Sequence, residues 1–207
     1  MHHRTSRIAA AALSLLLIAA FGATGQEKGQ DPAAQKAAMD EMMKTMMKLA
    51  LPGEPHKKLA DLAGAWDATV TMTMGPGAAP STSKGSVVQK AVLGGRFLAS
   101  EMKGEMMGMP MEGVGYMGYD NYNKKYTMFW VDNMGTAMAT AEGSADQSGK
   151  VITLYGKMDE PTTGEHDKNV KYVYRLQDKD KYTFEIHDLA IGEPNTKVIE
   201  VVYTRKK

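Results

Sequence analysis

The sequence contains no cysteine. That absence excludes disulfides, a thiol nucleophile, thiolate metal ligands and a lipid anchor on an N-terminal cysteine. A surplus of either charge is missing too, with 25 Lys and Arg against 24 Asp and Glu. So even a balance lacks the clustered cations that displace counterions from phosphates, and it argues against a nucleic-acid partner. Serine and histidine are sparse, with no Gly-x-Ser-x-Gly elbow and no paired-carboxylate spacing. No glycine-rich loop leads into a helix. Hydrolase and nucleotide-binding chemistry therefore find no motif to rest on.

Long apolar runs are also lacking, with one exception at the start. Ile8 to Phe21 is an uncharged apolar run, preceded by Arg4 and Arg7 and followed by the small residues Ala23-Thr24-Gly25. It falls short of the ~20 residues that a spanning helix needs. Residues 1–25 read as a secretory signal peptide cleaved before Gln26. Cleavage removes two cations and leaves no membrane span. Export without disulfides puts stability on the core alone, which ~150 residues can supply. A bacterial periplasm or the cell exterior fits this best. Nothing in the sequence fixes an oligomeric state.

What is present falls into two regimes of periodicity. Residues 26–51 combine a polar linker (26–38) with an amphipathic helix whose apolar stripe is Met39, Met42, Met43, Met46, Met47 and Ala50, at helical spacing. Asp40, Glu41, Lys44 and Lys48 fill the other face. A second short helix carries Pro55 in its first turn and Leu59 and Leu62 on one face, and Gly64 stops it. From there the period is 2. Strands are predicted at 65–74, 85–93, 96–105, 111–120, 126–133, 136–144, 150–158, 169–177, 181–189 and 197–205, separated by turn residues. No intervening segment is long or apolar enough for a crossover helix, so the strands are antiparallel neighbours. Ten such strands suit an all-β barrel spanning 52–207, which removes unpaired edges; a sandwich is the alternative. Trp66, Ala68, Val70, Met72 and Met74 share one face of the first strand. Tyr126, Met128 and Trp130 oppose Phe129 and Val131 on another, so part of the outer surface needs covering, and the Met-rich helix is the natural cover.

Gly64-x-Trp66 after a short helix resembles the opening motif of lipocalins and related calycin barrels. The resemblance implies that the tryptophan closes one barrel end. It also implies that a cation near the last strand's end, here Arg205 or Lys206, packs on its ring, a contact worth ~1 kcal/mol. A second resemblance covers about 52–206. Pro52-Gly53-Glu54-Pro55-His56 through Trp66, Leu93-Gly94-Gly95-Arg96, Met107-Gly108-Met109-Pro110, Gly118-Tyr119-Asp120-Asn121, Trp130 through Thr136 and Tyr203-Thr204-Arg205-Lys206 together are similar to the family numbered 1579 among the domains of unknown function. That family implies a calycin-like barrel and carries no established activity.

Candidate sites follow, each beside a plainer reading. A lumen lined by Trp66, Val70, Met72, Tyr116, Trp130 and Tyr172 holds a small apolar or amphipathic ligand, or else is filled by its own side chains. Met42, Met43, Met46 and Met47 place soft thioethers on one helical face, which suits Cu(I); the alternative is flexible apolar packing, across a barrel mouth or against a partner protein. Met102, Met106, Met107, Met109 and Met111 form a second cluster around a turn. His187 goes with Glu185 on its strand while Phe184 and Ile186 point the other way, so it is either solvent-facing or an inward polar group of the lumen, where it could be a haem ligand. His56 is read as capping or packing the short helix, and His166 as a turn residue. Asp132 and Asn133 belong to a turn. No cofactor is required by this reading, with copper and haem as alternatives.

Overall fold

A computed structural model describes residues 31–73, 78–161, 163–191 and 196–207. The segment read as a signal peptide, and Met74, lie outside those residues. The chain divides into two compact units, Met1–Lys44 and Thr45–Lys207. Over its described residues the first unit is helical and forms the start of α1 (Pro32–Ala50). Asp31 accepts the Ala33 N–H at 3.0 Å, a side-chain cap that lets Pro32 open the helix. The helix thus begins within the stretch read as linker, because Pro32-Ala33-Ala34 is a start signal that the methionine period does not register. Among the described residues no helix is long and apolar enough to cross a membrane.

The second unit carries the rest of α1, a short helix α2 (Glu54–Ala60) and ten strands. The strands are β1 (Gly64–Met72), β2 (Ser81–Val92), β3 (Phe97–Met106), β4 (Met109–Asp120), β5 (Lys125–Asp132), β6 (Ala139–Ala145), β7 (Val151–Glu160), β8 (Glu165–Asp178), β9 (Lys181–Asp188) and β10 (Lys197–Arg205). They form a closed antiparallel barrel in sequence order, sealed where β1 meets β10 with Trp66 opposite Arg205. The expected barrel is therefore the observed one, and the sandwich is not. β8 starts earlier than its apolar pattern suggests: a register shift between Met158 and Glu160 carries the ladder to a Glu160–Glu165 pair. His166 consequently lies in a strand rather than a turn.

One end of the barrel is closed by α2. Gly53 donates its N–H to His56 Nδ1 at 3.0 Å, fixing the helix start, and the buried His56 ring meets Tyr119 edge-on. Leu59 and Leu62 are buried with the barrel core. Below them, Trp66 is wholly buried and donates its indole N–H to Leu62 O at 2.9 Å. The Arg205 guanidinium stacks on that indole, 4.1 Å from its centroid, and donates to Ala63 O, Asp61 O and Lys179 O. One cation thereby satisfies carbonyls that the end of α2 leaves open. The Gly-x-Trp motif follows from this geometry. Gly64 has φ of +141°, outside the range of other residues, and a Cβ there would lie 2.5 Å from Arg205 Nη1. Lys206 instead reaches Asp67 at 3.2 Å.

Candidate functional site

Alternation along the ten strands decides what the lumen contains. At the α2 end the inward side chains are large and buried: Trp66, Leu98, Met117, Tyr126, Tyr182 and Tyr203. Tyr182 stacks on Tyr203 at 4.3 Å and meets Trp66 edge-on at 4.9 Å. Each fully buried apolar side chain of Leu or Ile size here contributes about 1.5–3 kcal/mol. Toward the opposite end buried residues such as Met102, Met111 and Val170 alternate with inward apolar side chains that are only partly buried. The latter include Met72, Met128, Trp130, Met158, Ile186 and Ile199. The packing that fills the closed half therefore loosens in part toward the mouth.

Glycine and alanine open this second half. Gly113 and Gly115 face inward on β4, and the Trp130 ring lies against both. A Cβ at Gly113 would sit 2.1 Å from Trp130 Cζ2. The indole is held there by its N–H, which donates to Asp132 Oδ2 at 2.8 Å, while Asp132 Oδ1 accepts the Met134 N–H. Asn133 bonds the backbone of Pro110 and Glu112. Asp132 and Asn133 are thus the structural turn residues expected of them. On the other wall Tyr174 leans on Phe184, and its hydroxyl donates to Met128 Sδ at 3.6 Å, across the small inward residues of β6 and β7. Burial raises the pKa of Tyr172, Tyr174, Tyr182 and Tyr203, so these phenols stay neutral donors.

The mouth carries an ion pair that faces inward. Lys168 shares the inner face of β8 with Val170 and Tyr172, and Asp188 shares that of β9 with Phe184 and Ile186. Lys168 Nζ lies 2.6 Å from Asp188 Oδ2 and 3.2 Å from Glu165 Oε2. The hydrogen bond to Asp188 raises the lysine's pKa and keeps it charged. The Lys168 and Asp188 side chains are only 9% and 10% exposed, although they stand at the rim.

Of the residues expected in the lumen, Trp66, Val70, Met72, Trp130 and Tyr172 point into it. Tyr116 does not. It lies on the outer face of β4, 42% exposed, stacked on Phe129 at 5.3 Å. The inward phase of β4 runs through Met111, Gly113, Gly115 and Met117 instead. His187 is likewise outward, with Nδ1 3.0 Å from Thr196 Oγ1 and Nε2 3.3 Å from Glu185 Oε2. Its geometry does not suit a haem ligand inside the barrel. Burial lowers the His187 pKa, partly offset by the bond to Glu185. Glu185 is pushed up by burial, but bonds from Arg175 and His187 outweigh this and hold its carboxyl below the usual range. Met42, Met43, Met46 and Met47 share an exposed helical face, with Met46 and Met47 exposed by 52% and 59%. Those last two therefore do not pack on the barrel as a cover. In the second cluster Met102 and Met111 are buried, whereas Met107 and Met109 are exposed.

A groove of about 270 Å³ also lies outside the closed end, between α2 and the β6–β7 turn. Two of its charged groups are engaged in structure: Lys58 donates to Ser148 O, and Asp146 accepts the Lys150 and Val151 N–H groups. Backbone N–H donors, that of Val151 foremost, hold the Asp146 carboxyl below its ordinary pKa.

A closed meander opened by Gly-x-Trp, with a terminal arginine on the indole, is a calycin-like barrel. The chain belongs to DUF1579, a family described as protein of unknown function, whose model matches residues 51–205. A search of curated proteins found no match. Among solved structures, the crystal structure of Rv2717c from M. tuberculosis is similar at 20% identity and TM-score 0.54. The match covers 75% of this chain and 99% of that one, and it shows the fold alone. A redesigned beta barrel matches at 13% identity and TM-score 0.39, over 72% of this chain and 95% of its own.

Proposed function

We propose that this protein is exported by its N-terminal segment and that its barrel binds a small amphipathic molecule without catalysing its conversion. One observation carries the reading. Inward apolar side chains of the mouth half, among them Met72, Met128, Trp130, Met158, Ile186 and Ile199, remain partly exposed, while Trp66, Leu98, Tyr182 and Tyr203 at the closed end are packed. Apolar surface left accessible inside a concave wall is what a ligand's apolar body covers. Trp130 and Phe184 supply flat rings and Met128 and Met158 adaptable thioethers, a combination that accepts shape variation. The neutral phenols add donors without adding charge.

Native mass spectrometry of the protein purified from its own host tests this. The expected result is a non-covalent adduct of a small amphiphile. Methyl-labelled methionine spectra should also move at Met72, Met128 and Met158 when Nile red is added, with Met42 and Met43 unmoved. Empty protein, together with lumen methyls that ignore the dye, would overturn the reading.

A further inference from the structure

We infer that the lumen's ligand carries a neutral head group with a hydrogen-bond acceptor, such as an ester, ketone or alcohol oxygen, and that Lys168 receives it. The inference rests on the lumen reading and specifies its polar end. Three facts about the mouth support it.

The first is placement. Lys168 points inward, across from Met158 on β7 and two residues from Val170 on its own strand, so its ammonium stands where an apolar chain in the lumen would end. The second is valence. An ammonium has three N–H donors, and Lys168 uses two, on Asp188 Oδ2 and Glu165 Oε2. Its side chain is nine-tenths buried, and among the described residues nothing takes the third. A ligand oxygen at the end of the lumen can accept that remaining N–H. The carboxylates near the mouth are each already held by two donors. Asp188 accepts from Lys168 and from the Ala190 N–H. Asp132 accepts from Trp130 and Met134, and Glu165 from Lys168 and Thr163. Lys168 therefore supplies the N–H that a ligand oxygen at the mouth would meet.

The third is charge. One ammonium faces two carboxylates, Asp188 and Glu165, so the cluster is net negative. A fatty-acid carboxylate brought to Lys168 would meet both. A quaternary ammonium would meet the lysine itself and offer it no acceptor. A neutral acceptor avoids both conflicts.

The experiment compares three single-chain probes of equal tail length, methyl decanoate, decanoate and decyltrimethylammonium, by methionine-methyl titration of the full chain near neutral pH. Methyl decanoate should bind about tenfold tighter than either charged probe, the ratio expected of one hydrogen bond to a charged group. Lys168→Met combined with Asp188→Asn removes the pair as a unit, so neither charge is left buried alone. That variant should keep its fold and lose the preference for the ester over decyltrimethylammonium. Lys168→Arg, which retains the charge and donors, should preserve it. Decanoate or the cation binding as tightly as the ester would overturn the head-group assignment while leaving the lumen reading intact. An ester preference that survives in the double variant would overturn the role of Lys168. Failure of all three probes to move the lumen methyls would overturn the lumen reading itself.

Discussion

Trp66 and Trp130 both point into the barrel, and their surroundings differ in kind. Trp66 is sealed beneath α2, its N–H on a helix carbonyl and a guanidinium on its face. Every contact it makes belongs to the architecture. Trp130 is partly exposed, lies over two glycines and is tethered by one bond to Asp132. Space was left beneath it, and surface was left above it. The comparison teaches that the barrel packs its two ends differently, and that residue type alone does not tell them apart.

The sharpest way to break that division is to remove each indole in turn. Trp66→Ala should cost about 3–5 kcal/mol, as for a large side chain deleted from a packed core. Trp130→Ala should cost roughly 1–2 kcal/mol, because only part of its surface leaves water on folding. Urea denaturation of the two variants measures both, and equal losses would abolish the distinction. A smaller effect probes the space itself. Gly113→Ala places a methyl against Trp130 and should cost about 1–3 kcal/mol by overpacking. The same change in a Trp130→Ala background should be nearly free, so a cycle of the four proteins isolates the clash.

The smallest effect concerns pH. At the closed end, backbone N–H donors hold Asp120 and Asp146 below their ordinary pKa, chiefly those of Asn123 and Val151. At the mouth, Asp159 and Glu165 are lowered by the Asp167 N–H and the Thr163 hydroxyl. A carboxyl whose folded pKa lies below its unfolded one stabilises the fold above the unfolded value, about 4. It gives that stability up as pH falls through the folded value. Chemical denaturation along a falling pH series should show a decline beginning near that point. Asp146→Asn should make the decline shallower, and an unchanged slope would remove Asp146 from the account.

Much of this was legible in the residues. Period-2 alternation with turn residues at regular spacing located ten strands, and Gly64-x-Trp66 with Arg205 located the seam. Tyr116 shows where the reading fails. On β4 the bulky Tyr116 suggested the inner face, yet the inner positions around it are Gly113 and Gly115, which carry no hydrophobic signal. Their emptiness is filled from the neighbouring strand by Trp130, and only the register reveals it. Lys168 and Asp188 were missed for a related reason. A search for a lumen follows apolar residues, and charges on an inner face announce themselves only once their cross-strand neighbours are known. His187 shows the converse: its alternation with Phe184 and Ile186 was correct, and the outward option was the one taken.

The position of Arg205 has a consequence for how the chain can fold. The barrel closes by pairing residue 66 with residue 205, the two ends of the domain, and the same arginine locks α2 over the first strand. Every other strand pairs with its sequence neighbour and can form as a local hairpin. The seam alone must wait, because its loop-closure entropy spans nearly the whole domain. A chain emerging from a ribosome thus carries a curling sheet with two raw edges until its last strand is free. A truncation that spares every hairpin but removes Arg205 would leave that sheet without its clasp.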